Sequence, residues 1–268
     1  MPVLSTDETD LHYKTAGDGA PVLLIPGLAS DHASWGPVAP SLSKQFALII
    51  PDNRGAGQTK TKGPIAIEAM ARDYLALLDH LGVSRAHVLG HSMGGVVAMT
   101  LAAMAPDRVD RLVLAASCAM RPARAISIVD TIVALREAGA PDELWLRSFF
   151  HWLFHPAFFE NKNAVDAAIA LAIAYPHAQS TEDMRRQVDA IRAYDASALP
   201  SRIDAKTLIL TGAQDLMFSP GDVAESFKEA KAAEFLTLAN AAHSLHWDQP
   251  AQFVHNVGAF LSDHSPTK

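Results

Sequence analysis

A single cysteine, Cys118, stands in 268 residues. No internal disulfide can form, and a reducing compartment such as the cytoplasm is the expected setting. Cys118 closes an apolar run, where a buried structural thiol is expected rather than a reactive one. Long apolar stretches are also missing. Segments such as "VVAMTLAAMA" are about half of what a membrane span requires, so no membrane partner is expected. The opening "MPVLSTDETDLHYK" has neither a basic n-region nor an apolar h-region, and a secretory signal is not expected there. There is no run of Lys or Arg, and the formal net charge is -7, which gives no footing to a nucleic-acid partner. Repeats and low-complexity tracts are absent. What remains is ordinary for a globular chain, with 49% apolar and 19% charged residues. The length suits one large α/β domain with an inserted subdomain, as a monomer or a homodimer. The tail "SDHSPTK" is expected to fray.

Six short runs rich in Leu, Ile and Val are present: "PVLLIPG", "FALIIPD", "AHVLGHS", "RLVLAAS", "TLILTGA" and "EFLTLAN". Nearly continuous apolar character bounded by turn residues predicts strands buried on both faces. Between the second and third, Met70, Tyr74, Leu77, Leu78 and Leu81 follow helical spacing, and Gly82 closes the helix. Alternating strands and helices predict an α/β fold with a mostly parallel sheet and helices on both faces. The alternation fails over residues 121–203, which are helical and aromatic. That stretch is too long for a loop, so a helical cap (121–203) is expected, inserted in a core formed by 1–120 and 204–268.

"VLGHSMGGVV" (88–97) places Ser92 between Gly90 and Gly94, where an apolar strand meets an apolar helix. The G-x-S-x-G pattern in that context predicts a nucleophile elbow, a strained turn that exposes the serine. A serine hydroxyl is a poor nucleophile without a base, and the base needs an orienting acid. Both should follow Ser92 in the order acid, then His, each just past a core strand. "TLILTGAQD" supplies Asp215, and "EFLTLANAAHSLHW" supplies His243. His246 competes with His243 but lies farther from the strand end. Asp222, in "SPGD", is expected to be a helix N-cap. Acyl transfer also needs donors for an oxyanion hole. The backbone N–H of Met93, at the helix start, and that of Leu28, after Gly27, are the candidates.

These motifs resemble the α/β-hydrolase superfamily over nearly the whole chain except the cap. The resemblance rests on "PG" after the first buried strand, "DNRGAGQT" after the second, "GHSMGG", "TGAQD" and "AAHSLHWDQP". Two departures stand out. Pro26 occupies a position where the family commonly has His, and Thr59 ends a D-x-R-G-x-G-x-S motif that otherwise ends in Ser. Asp52 and Arg54 are read as braces of that loop. "LALLDHLGVSRAHVLGHSMGG" and "APDRVDRLVLAAS" are most similar to the branch holding 3-oxoadipate enol-lactonases and aminoacrylate hydrolases. A Ser rather than an Asp nucleophile is unlike haloalkane dehalogenases and epoxide hydrolases. The resemblance implies cofactor-independent serine hydrolysis of a small ester, lactone or related acyl compound, with no metal. Two alternatives stay open: carbon–carbon bond cleavage in a ring-opened dienoate, and a non-catalytic ligand-binding module.

The cap carries the specificity expectations. Its aromatic cluster offers Trp145, Phe149 and Trp152 as substrate-binding residues in an apolar pocket. Arg136, Arg147, Arg185, Arg186 and Arg192 are read as solvated helix faces, any of which could clamp a carboxylate. His151 and His155 lie four apart, but no third ligand is near in sequence, so no metal site is expected.

Overall fold

The computed structural model describes residues 2–120 and 122–262. The tail expected to fray lies outside these residues apart from Ser262, as does Arg121 at the predicted cap boundary. Six strands form the parallel centre of the sheet: β3 (Ala20–Ile25), β4 (Phe46–Pro51), β6 (Ala86–His91), β7 (Val109–Ala115), β8 (Lys206–Gly212) and β9 (Ala233–Leu238). These are the six predicted runs. Three further strands lie at one side: β1 (Val3–Ser5), β2 (Thr9–Ala16) and β5 (Lys60–Thr61). β2 pairs antiparallel with β4, β1 and β5. β2 escapes a search for apolar runs because only Leu11 and Tyr13 are apolar and buried in its "TDLHYK" stretch. His12 is buried between them, with its Nδ1 hydrogen-bonded to Asp52 Oδ2 at 2.7 Å. One expectation is corrected at the opposite edge. β9 is the edge strand and is only partly covered: of its six residues Leu238 alone is buried, and Phe235 is 51% exposed.

The sheet order is β1-β2-β4-β3-β6-β7-β8-β9. From β3 the chain moves one way to β4 and then crosses to the other side for β6. The carboxyl ends of β3 and β6 therefore flank a topological switch point, where a crevice opens in such sheets.

Helices cover both faces. On one, α2 (Ile67–His80) and α3 (Met93–Met104) bury Met70, Tyr74, Leu77, Val97 and Met99. Gly82, left-handed at φ 67, ends α2, with Val83 N–H returning to Leu78 O. On the other face, the short α1 (Ala39–Leu42) and the C-terminal α11 (Pro250–Ser262) pack Leu42, Phe253 and Val257 under Trp35. Between β7 and β8 come α4 (Ala123–Glu137), α5 (Asp142–Leu153), α6 (Pro156–Phe159), α7 (Lys162–Ala174) and α8 (Thr181–Ala193). No strand interrupts them among the described residues. α4, α5 and α8 share a core of their own around Ile132, Phe149, Met184 and Val188, joined by Met217 from the sheet side. α9 (Pro220–Ser226) and α10 (Leu245–Asp248) complete the chain. Asp222 is not the N-cap of α9. Ser219 is, accepting Asp222 N–H at 3.1 Å while its hydroxyl donates to the Asp222 carboxylate at 2.8 Å.

Candidate active site

Ser92 joins β6 to α3 at φ 52, ψ -119, a left-handed backbone that costs a non-glycine residue of order 1–3 kcal/mol. Its N–H is tied to Ala115 O at 2.9 Å, which helps hold the turn. The flanking glycines are dictated by space. A Cβ on Gly90 would stand 2.3 Å from Gly94 O, and one on Gly94 would stand 2.2 Å from Ile25 O. The sharp return of the chain thus needs Gly on both sides of the serine.

His243 and Asp215 converge on Ser92 from the ends of β9 and β8. His243 Nε2 lies 3.0 Å from Ser92 Oγ, and His243 Nδ1 lies 3.0 Å from Asp215 Oδ2. A carboxylate only accepts, so Nδ1 carries the proton and Nε2 accepts from the serine hydroxyl. The other Asp215 oxygen accepts the N–H groups of Met217 (2.8 Å) and Phe218 (2.9 Å), which fixes the carboxylate in place. Gly212 lets the two strand ends touch, since a Cβ there would meet Ala242 O at 2.3 Å. His246 is placed elsewhere. It is buried against Trp35 and His91, and burial drives its pKa well below the ordinary value. His91, just before the serine, donates from Nε2 to His243 O at 2.9 Å. Burial, then the neighbouring His243, lowers its pKa to about 3, so it stays neutral.

The loop after β3 lies against this turn. A Cβ on Gly27 would meet His91 O and Ser92 Cβ at 3.3 Å. Leu28 follows, and Ala29 takes a left-handed φ of 57. Met93 is the first residue of α3, so its N–H has no carbonyl one turn back to bond. Leu28, Met93, Ser92 and His243 all border one cavity. A residue with no distinguishing motif around it supports this loop. Gln187 of α8, fully buried, accepts Ala29 N–H at 3.4 Å and donates to Arg54 O at 2.7 Å. One glutamine on an amphipathic helix carries no pattern that would single it out.

The "DNRGAGQT" loop behind it is braced as expected. Arg54 grips Asp73 through Nε and Nη2 at 2.6 and 2.8 Å. Thr59 supplies the hydroxyl of the missing Ser, donating to Asp52 O and accepting His12 N–H. Asn53 holds Pro26 O at 2.8 Å and so anchors the loop that lacks the usual His. Asp52, His12 and His32 are the three described residues whose ligand atoms are grouped closely enough for a metal. Their arrangement is one of hydrogen bonding. Four donors at 2.7–2.9 Å, from both imidazoles and from the N–H groups of His32 and Gln58, fill the four lone-pair sites of Asp52. Burial opposes ionisation of Asp52, but these hydrogen bonds outweigh it and hold the carboxyl below the usual range.

The cavity above Ser92 has a volume of about 570 Å³, within the span of small-molecule sites. Trp145 and Phe149 line it, as expected; Trp152 does not. Trp152 lies about two turns beyond Trp145 on the same side of α5, toward the C-terminal end of the helix, and does not border the cavity. There it packs on the core shared by α4, α5 and α8. Cys118 also borders the cavity, with a thiol whose pKa burial raises. His151 stacks on Phe159, and His155 caps α6 through Nδ1. Two further contacts pin α5 and the turn after it to the histidine loop. Ser244 N–H donates to Leu153 O at 2.7 Å, and the Asp248 carboxylate accepts N–H groups from both Ala242 and His155.

A family model described as alpha/beta hydrolase fold matches residues 20–250. A protein of Variovorax paradoxus named for carbamate hydrolase RutD is 31% identical over 260 residues, covering 94% of this chain and 96% of its own. The enol-lactonase structure from Burkholderia xenovorans LB400 is 27% identical at a TM-score of 0.81, covering 98% of this chain and 100% of that one. A thermophilic esterase from Thermogutta terrifontis, solved with malate bound, is 25% identical at a TM-score of 0.83, covering 97% and 96%. The sheet order, the placement of the serine turn at its switch point and these full-length matches together make the chain a hydrolase that belongs to the α/β-hydrolase fold family.

Proposed function

We propose that the protein hydrolyses a small ester, lactone or related acyl compound by a covalent serine mechanism. The observation that carries this is the continuous Ser92–His243–Asp215 hydrogen-bond chain, 3.0 Å at each link, opening into an apolar cavity. His243 Nε2 takes the Ser92 proton as Oγ attacks the acyl carbon. Asp215 keeps the imidazole oriented and stabilises it when charged. The tetrahedral oxyanion points to the N–H groups of Met93 and Leu28, each donor worth about 10²–10³ in rate. His243 then returns the proton to the leaving group, and water repeats the sequence to release the acid. Helices α4–α8 act as a cap that roofs the cavity, with Trp145 and Phe149 against the non-reacting part of the substrate. No step calls for a cofactor. The likeness to proteins named for enol-lactone and carbamate hydrolysis supports this reading.

The test is labelling with a fluorophosphonate, followed by an activity screen across p-nitrophenyl esters, lactones, carbamates and dienoates. The wild-type protein should become labelled on Ser92. Folded Ser92→Ala should take up no label and lose turnover by several orders of magnitude, because the triad acts as a unit. Undiminished kcat in folded Ser92→Ala would sink the mechanism, and an unlabelled wild type would favour a binding module.

A further inference from the structure

Of the five cap arginines singled out in the sequence, four are paired with carboxylates. Arg147 pairs with Glu143 and Asp166, Arg185 with Glu137 and Asp130, Arg186 with Asp183, and Arg192 with Asp189. Arg136, near the end of α4, differs from them. It makes no ion pair among the described residues, and it borders the same cavity as Ser92. Its guanidinium lies 4.5 Å from the centre of the Trp145 ring, a cation–π contact that holds the fork flat against the wall. One Nη2–H donates to Gln179 O at 2.8 Å, while Nη1 faces only Met184 Sδ, a weak acceptor, at 3.3 Å. Of five N–H donors, most therefore lack a strong partner. Burial lowers the pKa of this guanidinium, opposed by Asp142, yet a guanidinium remains charged. Two carboxylates also border the cavity, but each is held by its own donors. Asp142 accepts the Trp145 indole N–H, and Asp31 accepts the Tyr175 hydroxyl and Ala33 N–H.

A half-buried, preorganised cation that borders a largely apolar cavity with most of its donors unpaired is a ready partner for an anion. We propose that Arg136 binds a carboxylate of the substrate, so that the substrates are acyl compounds with an anionic carboxylate remote from the scissile carbonyl. This rests on the hydrolase reading above. The planar fork suits a carboxylate, and the Trp145 platform fixes its orientation in advance.

Two esters with one leaving group and one six-carbon acyl chain isolate the charge: 4-nitrophenyl hydrogen adipate and 4-nitrophenyl hexanoate. The ratio of kcat/KM, adipate over hexanoate, should fall about tenfold to a hundredfold in Arg136→Met, which keeps the stem but removes the charged donors. Arg136→Lys, with a point charge in place of the fork, should fall between. Binding is read independently by calorimetry of adipic acid monoamide against Ser92→Ala protein, and should weaken to a similar degree when Arg136→Met is added. An unchanged ratio in folded Arg136→Met overturns the proposal. If that variant does not fold, an unchanged ratio in Arg136→Lys overturns it. Should neither ester be turned over, the hydrolase reading fails, while monoamide binding still decides the role of Arg136.

Discussion

Directly beneath the nucleophile turn, His91 is kept neutral by its surroundings, and this ties stability to pH. Its folded pKa is about 3, against an ordinary value of 6.5, chiefly because burial penalises the charge. Below pH 6.5 the unfolded chain gains a proton at this residue that the folded chain refuses until about pH 3. Stability is therefore full above pH 6.5 and declines as the pH falls, by up to about 1.4 kcal/mol per pH unit for one such group. His246 is depressed by the same cause and adds in the same direction. Asp52, held low by its donors, contributes only once the unfolded carboxyls begin to titrate, below about pH 4. From pH 6.5 downward the two histidines act in this direction, opposed by Asp73 and Asp248, whose carboxyl pKa burial raises. Urea midpoints should drop between about pH 6.5 and 4.5 in the wild type and drop less steeply in His91→Gln. Equal slopes in the two proteins would mean that His91 is protonated in the fold.

At the scale of elements, α5 separates specificity from packing. Phe149 borders the cavity and Trp152 does not. Phe149→Ala should move the kcat/KM ratio of a long to a short ester by roughly tenfold, in line with about 1–3 kcal/mol per pocket group. Trp152→Ala should leave that ratio in place and lower the melting temperature. A constant ratio in Phe149→Ala would remove α5 from the pocket. The turn from β6 to α3 makes a sharper demand. Gly94→Ala drives a methyl to 2.2 Å from Ile25 O, where only backbone movement can give way. Gly82→Ala, at a left-handed residue with nothing within 4 Å, carries backbone strain alone, about 1 kcal/mol. Urea titration should place Gly94→Ala well below Gly82→Ala in stability. The sequence made the parallel strands, the serine turn and its two partners legible, because each is written as an apolar run or a short motif at a strand end. It hid β2, whose inward His12 is polar and made tolerable only by Asp52, forty residues away. It also hid Trp152's packing on the core of α4, α5 and α8 and Gln187's support of the loop at Ala29, which depend on how helices α4–α8 pack rather than on any local pattern.

For the whole molecule, the layers divide the labour. Two apolar cores on opposite faces of the sheet hold the ends of β3, β6, β8 and β9 at fixed separations, and the groups around Ser92 sit on those ends. The third core, within α4–α8, is joined to them by few apolar side chains. Hydrogen bonds tie these helices to the loops of the sheet at separate points. Leu153 and His155 are fastened to the backbone of the loop that carries His243, partly through Asp248. The opposite rim is tied too: Tyr175, the C-cap of α7, donates to Asp31 Oδ2 at 2.6 Å, and Arg124, in the first turn of α4, donates to Leu216 O at 3.2 Å. The Leu153–His155 turn and the backbone that carries His243 therefore share one set of hydrogen bonds, and whatever displaces the one displaces the other.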